Sequence, residues 1–350
     1  MKQWIALLLT CCMLFSLVIP AAASSSTVAP MNAKAATEDE ETELTLDEIA
    51  KLMATALRFA QKKIQNSDEN LLIDHENELE DKYEATGSYK VSSKVYKSGA
   101  DFFDTFKVWY PTKMTKSNKT YPVIVFANGT GTPYESYEDV FEHLASWGFI
   151  TIGTSDEQAG MGKSTSLGLA MILKKNRNKN SIFYHKIDTD HIGVSGHSQG
   201  GPGAINAATL YKNSDQFTAM FTGSCVQEGV AEGMEYPYDI TKVKIPYFMD
   251  AGELYIDATI IAPRESMISN YERLPEGLPA VRGIRRGAEH GDILRYSLGY
   301  ETAWFLYTLK GDSNAAKCFL ETGDELPELY RNKDWSDVGI KNLKPASAYR

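Results

Sequence analysis

Short runs of apolar residues alternate with segments of helical periodicity from about residue 87 onward, and this alternation constrains the fold more than any other feature of the chain. The runs are apolar at consecutive positions, which is typical of strands buried on both faces. They lie at 122–126, 149–152, 191–194, 219–221, 245–249 and 280–284, and the helical segments lie at 137–147, 164–175, 200–211 and 293–309. We therefore predict an α/β fold in which a doubly wound, mostly parallel sheet has helices on both faces.

One predicted domain, residues 87–350, contains this whole pattern. It begins with two alternating segments, 89–92 and 105–110, that predict a β-hairpin. Residues 44–86 precede it and start with a helix capping box, which predicts a short N-terminal helical extension. Residues 24–43 are rich in Ala, Ser and Thr and end near an acidic run, a composition that predicts a flexible tether.

The first 23 residues have the features of an export signal. Lys2 is followed by an almost wholly apolar stretch at 4–19 and by three alanines at 21–23. We therefore predict a signal peptide at 1–23 and a secreted or extracytoplasmic protein, with an uncleaved membrane anchor as the alternative. No later stretch is long and apolar enough to span a membrane, so we expect no transmembrane span once the signal is removed.

Composition excludes several classes of function. The 350-residue chain has 36 Lys and Arg against 46 Asp and Glu, a formal charge of −10, so we expect no nucleic-acid partner. No cluster of His, Cys and acidic residues has metal-ligand spacing, and the segment 162–165 resembles a phosphate-binding loop only in part, since Glu157 stands where that motif has glycine. We predict no metal and no cofactor. The oligomeric state stays open.

Two cysteines remain after removal of the signal, Cys225 and Cys318. In an oxidising compartment they could form one disulfide, but they lie far apart in the sequence and nothing places them together, so we favour two buried thiols over the disulfide.

The segment from Gly196 to Gly200 has the pattern G-x-S-x-G and lies between a predicted strand and a predicted helix. That context is typical of a nucleophile elbow, in which a sharp turn holds a serine hydroxyl above the edge of the sheet. The two glycines leave room for the turn. We predict Ser198 as a nucleophile, while a glycine-bounded turn without chemistry is the structural alternative.

A serine nucleophile needs a general base, and His290 is the candidate. It lies in a loop after a late predicted strand and completes the chain order Ser, acid, His. The acid is expected in the loop after the 245–249 strand, where Asp257, Asp250 and Glu253 compete. We favour Asp257, because Asp250 is too close to the strand itself, and Glu253 stays open.

Two backbone N–H groups are needed to hold a developing oxyanion. Gln199, the residue after the nucleophile, is predicted to supply one of them. The loop 128–132 follows the 122–126 strand and is predicted to supply the other, from Thr130.

The ordered segments 128–132, 143–149, 193–201 and 260–263, together with His290 and Gly291, resemble the α/β-hydrolase superfamily. The resemblance is to its cutinase-like, poly(ethylene terephthalate) hydrolase-like and chlorophyllase-like esterase branch. It implies an α/β-hydrolase fold over residues 88–335. It also implies that Ser198, His290 and Asp257 form a catalytic triad and that Thr130 and Gln199 supply the oxyanion hole.

Two segments depart from the polyester hydrolases. The predicted oxyanion loop is one residue shorter and has Thr130 where they have an aromatic residue, and the segment 223–227 lacks their cleft tryptophan. Tyr134 and Tyr137 are either substitute cleft aromatics or packing residues at the start of a helix. Activity on aromatic polymers is therefore not expected from the sequence.

These features predict a secreted serine carboxylesterase for small or medium esters, with a small-molecule or polymeric ester as its substrate. Two alternatives are a non-catalytic cell-surface binding module on a hydrolase scaffold and a peptidase of the same fold.

Overall fold

A computed structural model describes residues 77–349 of the protein. Within them nine strands form one sheet, in the order β1-β2-β4-β3-β5-β6-β7-β8-β9. The strands are β1 (Val91–Lys97), β2 (Thr105–Pro111), β3 (Tyr121–Ala127), β4 (Ile150–Thr154), β5 (Ile187–His197), β6 (Ala219–Gly223), β7 (Tyr247–Gly252), β8 (Ala280–Arg285) and β9 (Trp335–Lys341). All neighbours from β4 to β8 pair in parallel, whereas β1, β2 and β9 add antiparallel pairs at the two edges.

Helices cover both faces of this sheet. Among residues 77–349 they are α1 (Glu78–Glu84), α2 (Glu138–Ser146), α3 (Lys163–Arg177), α4 (Gly200–Leu210), α5 (Glu228–Gly233), α6 (Arg264–Arg273), α7 (Ile293–Tyr296), α8 (Leu298–Lys310) and α9 (Glu328–Arg331). On β5, Gly193 faces Phe305 of α8, and Gly196 faces Ala204 of α4. Because residues three apart on a strand point to opposite faces, α8 and α4 lie on opposite sides of the sheet. The predicted α/β fold is confirmed.

Three features of the body differ from the sequence prediction. The predicted helix 293–309 is two helices, α7 and α8, that meet at Ser297. Strand β9 was not predicted, because its central residues are half-buried and show no clear alternation. Helix α1 falls inside the predicted extension 44–86, yet it packs against α8 of the body.

The remaining sequence predictions near the N-terminus concern residues 1–76 and lie outside the described residues. None of the helices within residues 77–349 has the length and apolar character needed to cross a membrane. Cys225 and Cys318 are both buried free thiols, so the disulfide alternative is not seen.

A carboxyl group is fully buried behind the nucleophile elbow. Glu301 of α8 is 0% exposed, and its Oε1 accepts a hydrogen bond of 2.8 Å from Ser195 Oγ on β5. Burial raises the pKa of Glu301 to about 7, although the bond from Ser195 lowers it somewhat. Because the pKa is higher in the folded state, the folded protein is relatively stabilised at low pH, and this contribution is lost as the pH rises through 7.

We expect Glu301→Gln to remove this pH dependence. A shift from 4.5 to about 7 corresponds to ~3 kcal/mol, since one pKa unit is ~1.4 kcal/mol. Between pH 5 and pH 8 the free energy of unfolding of the variant, relative to that of the wild type, should therefore rise by most of this amount. Denaturant unfolding at both pH values measures it. Exposed Glu321 provides the control, and Glu321→Gln should unfold like the wild type. An equal pH dependence in wild type and Glu301→Gln would contradict the assignment.

Candidate active site

The nucleophile elbow is present at the carboxyl end of β5. Ser198 follows the strand directly and has a φ of 57°, a left-handed conformation that costs energy for a residue with a side chain. A Cβ added at Gly196 would lie 2.1 Å from the Gly200 carbonyl oxygen, and one added at Gly200 would lie 1.9 Å from that of Ala127. Only glycine fits at these two positions, so the G-x-S-x-G spacing is required by the close approach of the backbone.

Three side chains predicted from the sequence come together at this end of the sheet. Ser198 Oγ lies 2.9 Å from His290 Nε2, and His290 Nδ1 lies 2.7 Å from Asp257 Oδ1. Each residue follows a different strand, because Ser198 comes after β5, Asp257 after β7 and His290 after β8. Ligands bind at the carboxyl ends of parallel strands in such sheets, which places this group at the expected edge.

The environment of Asp257 keeps its carboxyl group ionised. The side chain is 0% exposed, and burial alone would raise its pKa. The neighbouring His290 and hydrogen bonds from His290, Ser224 Oγ and the Gly252 N–H outweigh burial and lower the pKa of Asp257. An ionised carboxylate in this position holds the imidazole in one tautomer and stabilises its protonated form.

The two competing acids lie elsewhere. Asp250 is inside β7 and is 1% exposed, and burial raises its pKa well above the usual range. Glu253 is exposed, and its Oε2 accepts a hydrogen bond of 3.1 Å from the Gly287 N–H. Among the described residues, neither carboxyl group is hydrogen-bonded to His290, whereas that of Asp257 is.

The two predicted oxyanion donors belong to different segments of the chain. Gln199 is the N-cap residue of α4, so its N–H points out of the helix start, where the helix dipole is positive. Thr130 lies in the loop after β3, and its neighbour Gly131 donates its N–H to the Glu157 carbonyl oxygen at 2.9 Å. No hydrogen bond among the described residues uses the N–H of Gln199 or Thr130, so both are available to a ligand.

His197 has a role that the sequence did not indicate. It is 8% exposed, its Nε2 donates to the His290 carbonyl oxygen at 2.9 Å, and its ring lies against the His290 ring with centroids 4.9 Å apart. Burial, followed by the effect of His290, lowers the pKa of His197 to about 3, so it stays neutral. His197 therefore supports the backbone that carries His290.

Tyr137 links this support to the predicted oxyanion loop. Its hydroxyl lies 3.2 Å from His197 Nδ1 and 2.8 Å from Thr132 Oγ1, and it accepts the Gly129 N–H at 3.1 Å. Tyr137 and Tyr134 are 6% and 8% exposed and belong to the hydrophobic core. Both are packing residues, which was one of the two alternatives left open by the sequence.

The turn after β6 contacts both the nucleophile and the acid. The Gly223 carbonyl oxygen accepts the Ser198 N–H at 3.0 Å, and the Val226 N–H donates to the Ser198 carbonyl oxygen at 3.3 Å. Between them, Ser224 has a φ of 48° and donates its hydroxyl to Asp257 Oδ2. The sequence did not identify Ser224, because it lies 33 positions before Asp257 and no local pattern links the two.

We expect Ser224→Ala to lower kcat for an ester substrate by ~10- to 100-fold, because a hydrogen bond to a charged group contributes ~1.5–3 kcal/mol. KM should change little, since Ser224 is 0% exposed and holds Asp257 in place. Ser224→Gly is the matched variant, because it also lacks the hydroxyl but relaxes the positive φ. Steady-state kinetics should show a similar loss of kcat in both variants. Wild-type kcat in Ser224→Gly would mean that the Ser224 hydroxyl does not contribute to catalysis.

Comparisons with known proteins find a family and two relatives that are similar to part of the chain. The PET hydrolase-like family matches residues 79–222, which include β1 to β5, all of β6 but its last residue, and Ser198. Two cutinases of Thermobifida alba, est2 and est1, are each 29% identical to the chain over 130 residues, which is 35% of its length. The matches extend over 41% and 42% of those cutinases, so the chain spans about two fifths of the length of these relatives.

The fold and these similarities lead to one class of protein. A mostly parallel sheet with helices on both faces and a serine elbow after β5 is the α/β-hydrolase arrangement. The predicted resemblance to cutinase-like and PET hydrolase-like α/β-hydrolases is confirmed. Within residues 77–349 no group of three or more His, Cys, Asp or Glu side chains is arranged to hold a metal ion.

Proposed function

We propose that this protein is a secreted serine hydrolase that cleaves small or medium carboxylic esters through an acyl-enzyme. The observation that carries the proposal is the continuous chain of hydrogen bonds from the Ser198 hydroxyl through the His290 imidazole to the Asp257 carboxylate. The similarity to cutinases supports ester hydrolysis as the general chemistry, and the signal-like residues 1–23 support export.

In the first step, Ser198 Oγ attacks the ester carbonyl carbon while His290 Nε2 accepts the hydroxyl proton. The 2.9 Å contact is short enough for this transfer in the resting protein. The imidazolium that forms is next to the Asp257 carboxylate at 2.7 Å, whose negative charge stabilises it. Asp257 does not take the proton itself.

The attack places a negative charge on the former carbonyl oxygen. The N–H groups of Gln199 and Thr130 are the donors for this oxyanion, and the start of α4 adds a positive dipole. His290 then gives its proton to the departing alcohol, and the acyl group stays on Ser198. A water molecule, deprotonated by His290, releases the acid and restores the serine.

The substrate class follows from the residues around the nucleophile. The segment 223–227 contains no tryptophan, and its residues 223–226 are all buried. Tyr134 and Tyr137 are buried and do not replace the missing cleft aromatic. This supports esters of small or medium size over aromatic polyesters.

The test is a panel of nitrophenyl esters of increasing acyl length, assayed with the purified mature protein beside a nitroanilide of the same acyl group. We expect hydrolysis of the short and medium esters and at least ~100-fold lower kcat/KM on the amide, whose leaving group is poorer. Preference for the amide would favour a peptidase. Absence of activity on every substrate, with the protein folded, would favour the binding-module alternative.

A further inference from the structure

Two stretches of the chain carry an unusual concentration of positive charge. Residues 112–121 and 170–187 contain eight Lys and Arg and no Asp or Glu, in a chain whose formal charge is −10. The eight are Lys113, Lys116, Lys119, Lys174, Lys175, Arg177, Lys179 and Lys186. If basic residues were distributed at random in an acidic chain, acidic residues would be expected among them, so these two stretches are unusual.

The fold brings these two stretches together at one edge of the molecule. The Tyr121 N–H donates to the Lys186 carbonyl oxygen at 2.8 Å, and Lys186 Nζ donates to the Ser117 carbonyl oxygen. The Lys186 N–H donates to Asn176 Oδ1 at 3.0 Å, which connects the end of α3 to the same site. We call the surface formed by residues 112–121 and 170–187 the basic edge.

Most of the cations of the basic edge are exposed, and Lys113 Nζ lies 3.9 Å from the centre of the Tyr89 ring. Six side chains are exposed, and none of them is in an ion pair with a described residue: Lys113, Lys116, Lys119, Lys174, Arg177 and Lys179. The next acid along the chain, Asp188, is paired with His191 at 2.9 Å. Like charges within a Debye length of ~8–10 Å repel one another, so this cluster is unfavourable unless an anion shares it.

Helix stability explains only part of the basic edge. Lys174, Lys175 and Arg177 lie in the last turn of α3, where cations favour the helix dipole. The other five cations are not at the end of a long helix. Lys113 and Lys116 lie in a short 3-10 turn, and Lys119, Lys179 and Lys186 lie in loops and turns.

We infer that the basic edge binds a flexible, linear, phosphate-bearing polyanion other than a nucleic acid and thereby anchors the protein. Seven of the eight cations are lysines, which bind phosphate as point charges. A polymer with closely spaced charges contacts several of them at once. A bilayer surface fits less well. Membrane-binding surfaces combine cations with a large apolar face, whereas Tyr184 is the one large apolar side chain exposed within these two stretches.

The position of the basic edge separates this anchor from the candidate catalytic site. Lys186 directly precedes β5 and Ser198 directly follows it. β5 is irregular between Ile187 and Ile192, but β3 pairs with both of its ends, Tyr121 with Ile187 and Ala127 with Gly196. The 7 residues of β3 span ~23 Å at ~3.3 Å per residue, so a polymer bound at the basic edge leaves the serine at the opposite end of the sheet accessible. The inference does not depend on the proposed ester chemistry.

The experiment measures binding of fluorescently labelled inorganic polyphosphate to the full mature protein by anisotropy. We expect the dissociation constant to rise at least ~100-fold between 50 and 200 mM NaCl, as for a protein that releases several counterions. Four exposed lysines of the basic edge are replaced together in one variant: Lys116→Glu, Lys119→Glu, Lys174→Glu and Lys179→Glu. This variant should bind at least ~10-fold more weakly at 50 mM NaCl.

A matched variant controls for net charge, because it changes four exposed lysines elsewhere by the same amount: Lys212→Glu, Lys244→Glu, Lys317→Glu and Lys344→Glu. It should lose less than ~3-fold in affinity, since distant charges are screened by salt. Equal losses in both variants, or unchanged binding in the basic-edge variant, would overturn the inference. So would vesicles of anionic lipid or duplex DNA that bind tenfold tighter than polyphosphate at matched charge.

Discussion

Ser198→Ala should lower kcat for a nitrophenyl ester by at least ~10³-fold, as removal of the nucleophile does in other serine hydrolases. The physical reason is that no other group is placed to receive the acyl chain, since Ser198 Oγ is the hydroxyl bound to His290 Nε2. The measurement is steady-state hydrolysis with an enzyme-free blank. KM, where it can still be determined, should change little.

An exposed serine gives the control for this prediction. Ser136→Ala removes the same hydroxyl from the surface and should keep the wild-type kcat. Thermal unfolding should show that both variants stay folded. A Ser198→Ala protein with more than a tenth of the wild-type kcat would exclude Ser198 as nucleophile.

Asp257→Asn is expected to have the second largest effect, a loss of ~10³- to 10⁴-fold in kcat. An amide keeps the shape of the side chain but cannot stabilise the imidazolium, and its NH₂ group favours the wrong tautomer of His290. The carboxylate also accepts the Ser224 hydroxyl and the Gly252 N–H, so the amide disturbs these bonds as well. The pH profile of kcat should also change in this variant, in addition to the fall in kcat.

Two matched variants distinguish Asp257 from its competitors. Asp250→Asn replaces a carboxyl group whose pKa burial raises well above the usual range, so the amide resembles the neutral form already present. Glu253→Gln changes an exposed side chain that contacts the Gly287 N–H. Each should retain kcat within ~5-fold, as substitutions outside the reacting group do. A larger loss in either than in Asp257→Asn would identify that residue as the acid.

Local features of the chain were sufficient to predict the parallel sheet and the elbow. Continuous apolar runs identify β3, β5 and β8 because these strands are buried on both faces. Gly196, Ser198 and Gly200 lie within five residues of one another, so the turn that they form is encoded in one short segment. His290 was found from chain order, which follows from the order of the strands.

Contacts between distant segments could not be predicted in this way. Ser224 and Asp257 are brought together by the pairing of β6 with β7, and no pattern in either segment indicates the hydrogen bond. Likewise, nothing in the sequence around His197 indicates its bond to the backbone of His290, 93 residues later. Such contacts depend on strand register and helix packing.

Edge elements were also difficult to predict. Strand β9 pairs with β8 in antiparallel register, and its residues from Ser336 to Lys341 are half-buried. An edge strand has one open side, so it lacks the continuous apolar run that identifies a central strand. The break between α7 and α8 falls at Ser297, and no proline in 293–309 marks it.

The most direct test of the central claim is covalent labelling of the mature protein with a fluorophosphonate probe, followed by mass spectrometry of the proteolytic peptides. An activated serine attacks phosphorus and carries a stable adduct. We predict stoichiometric labelling at Ser198, at a rate that falls strongly in Asp257→Asn. A folded protein that is not labelled at Ser198, or is labelled at a different serine, would contradict the account.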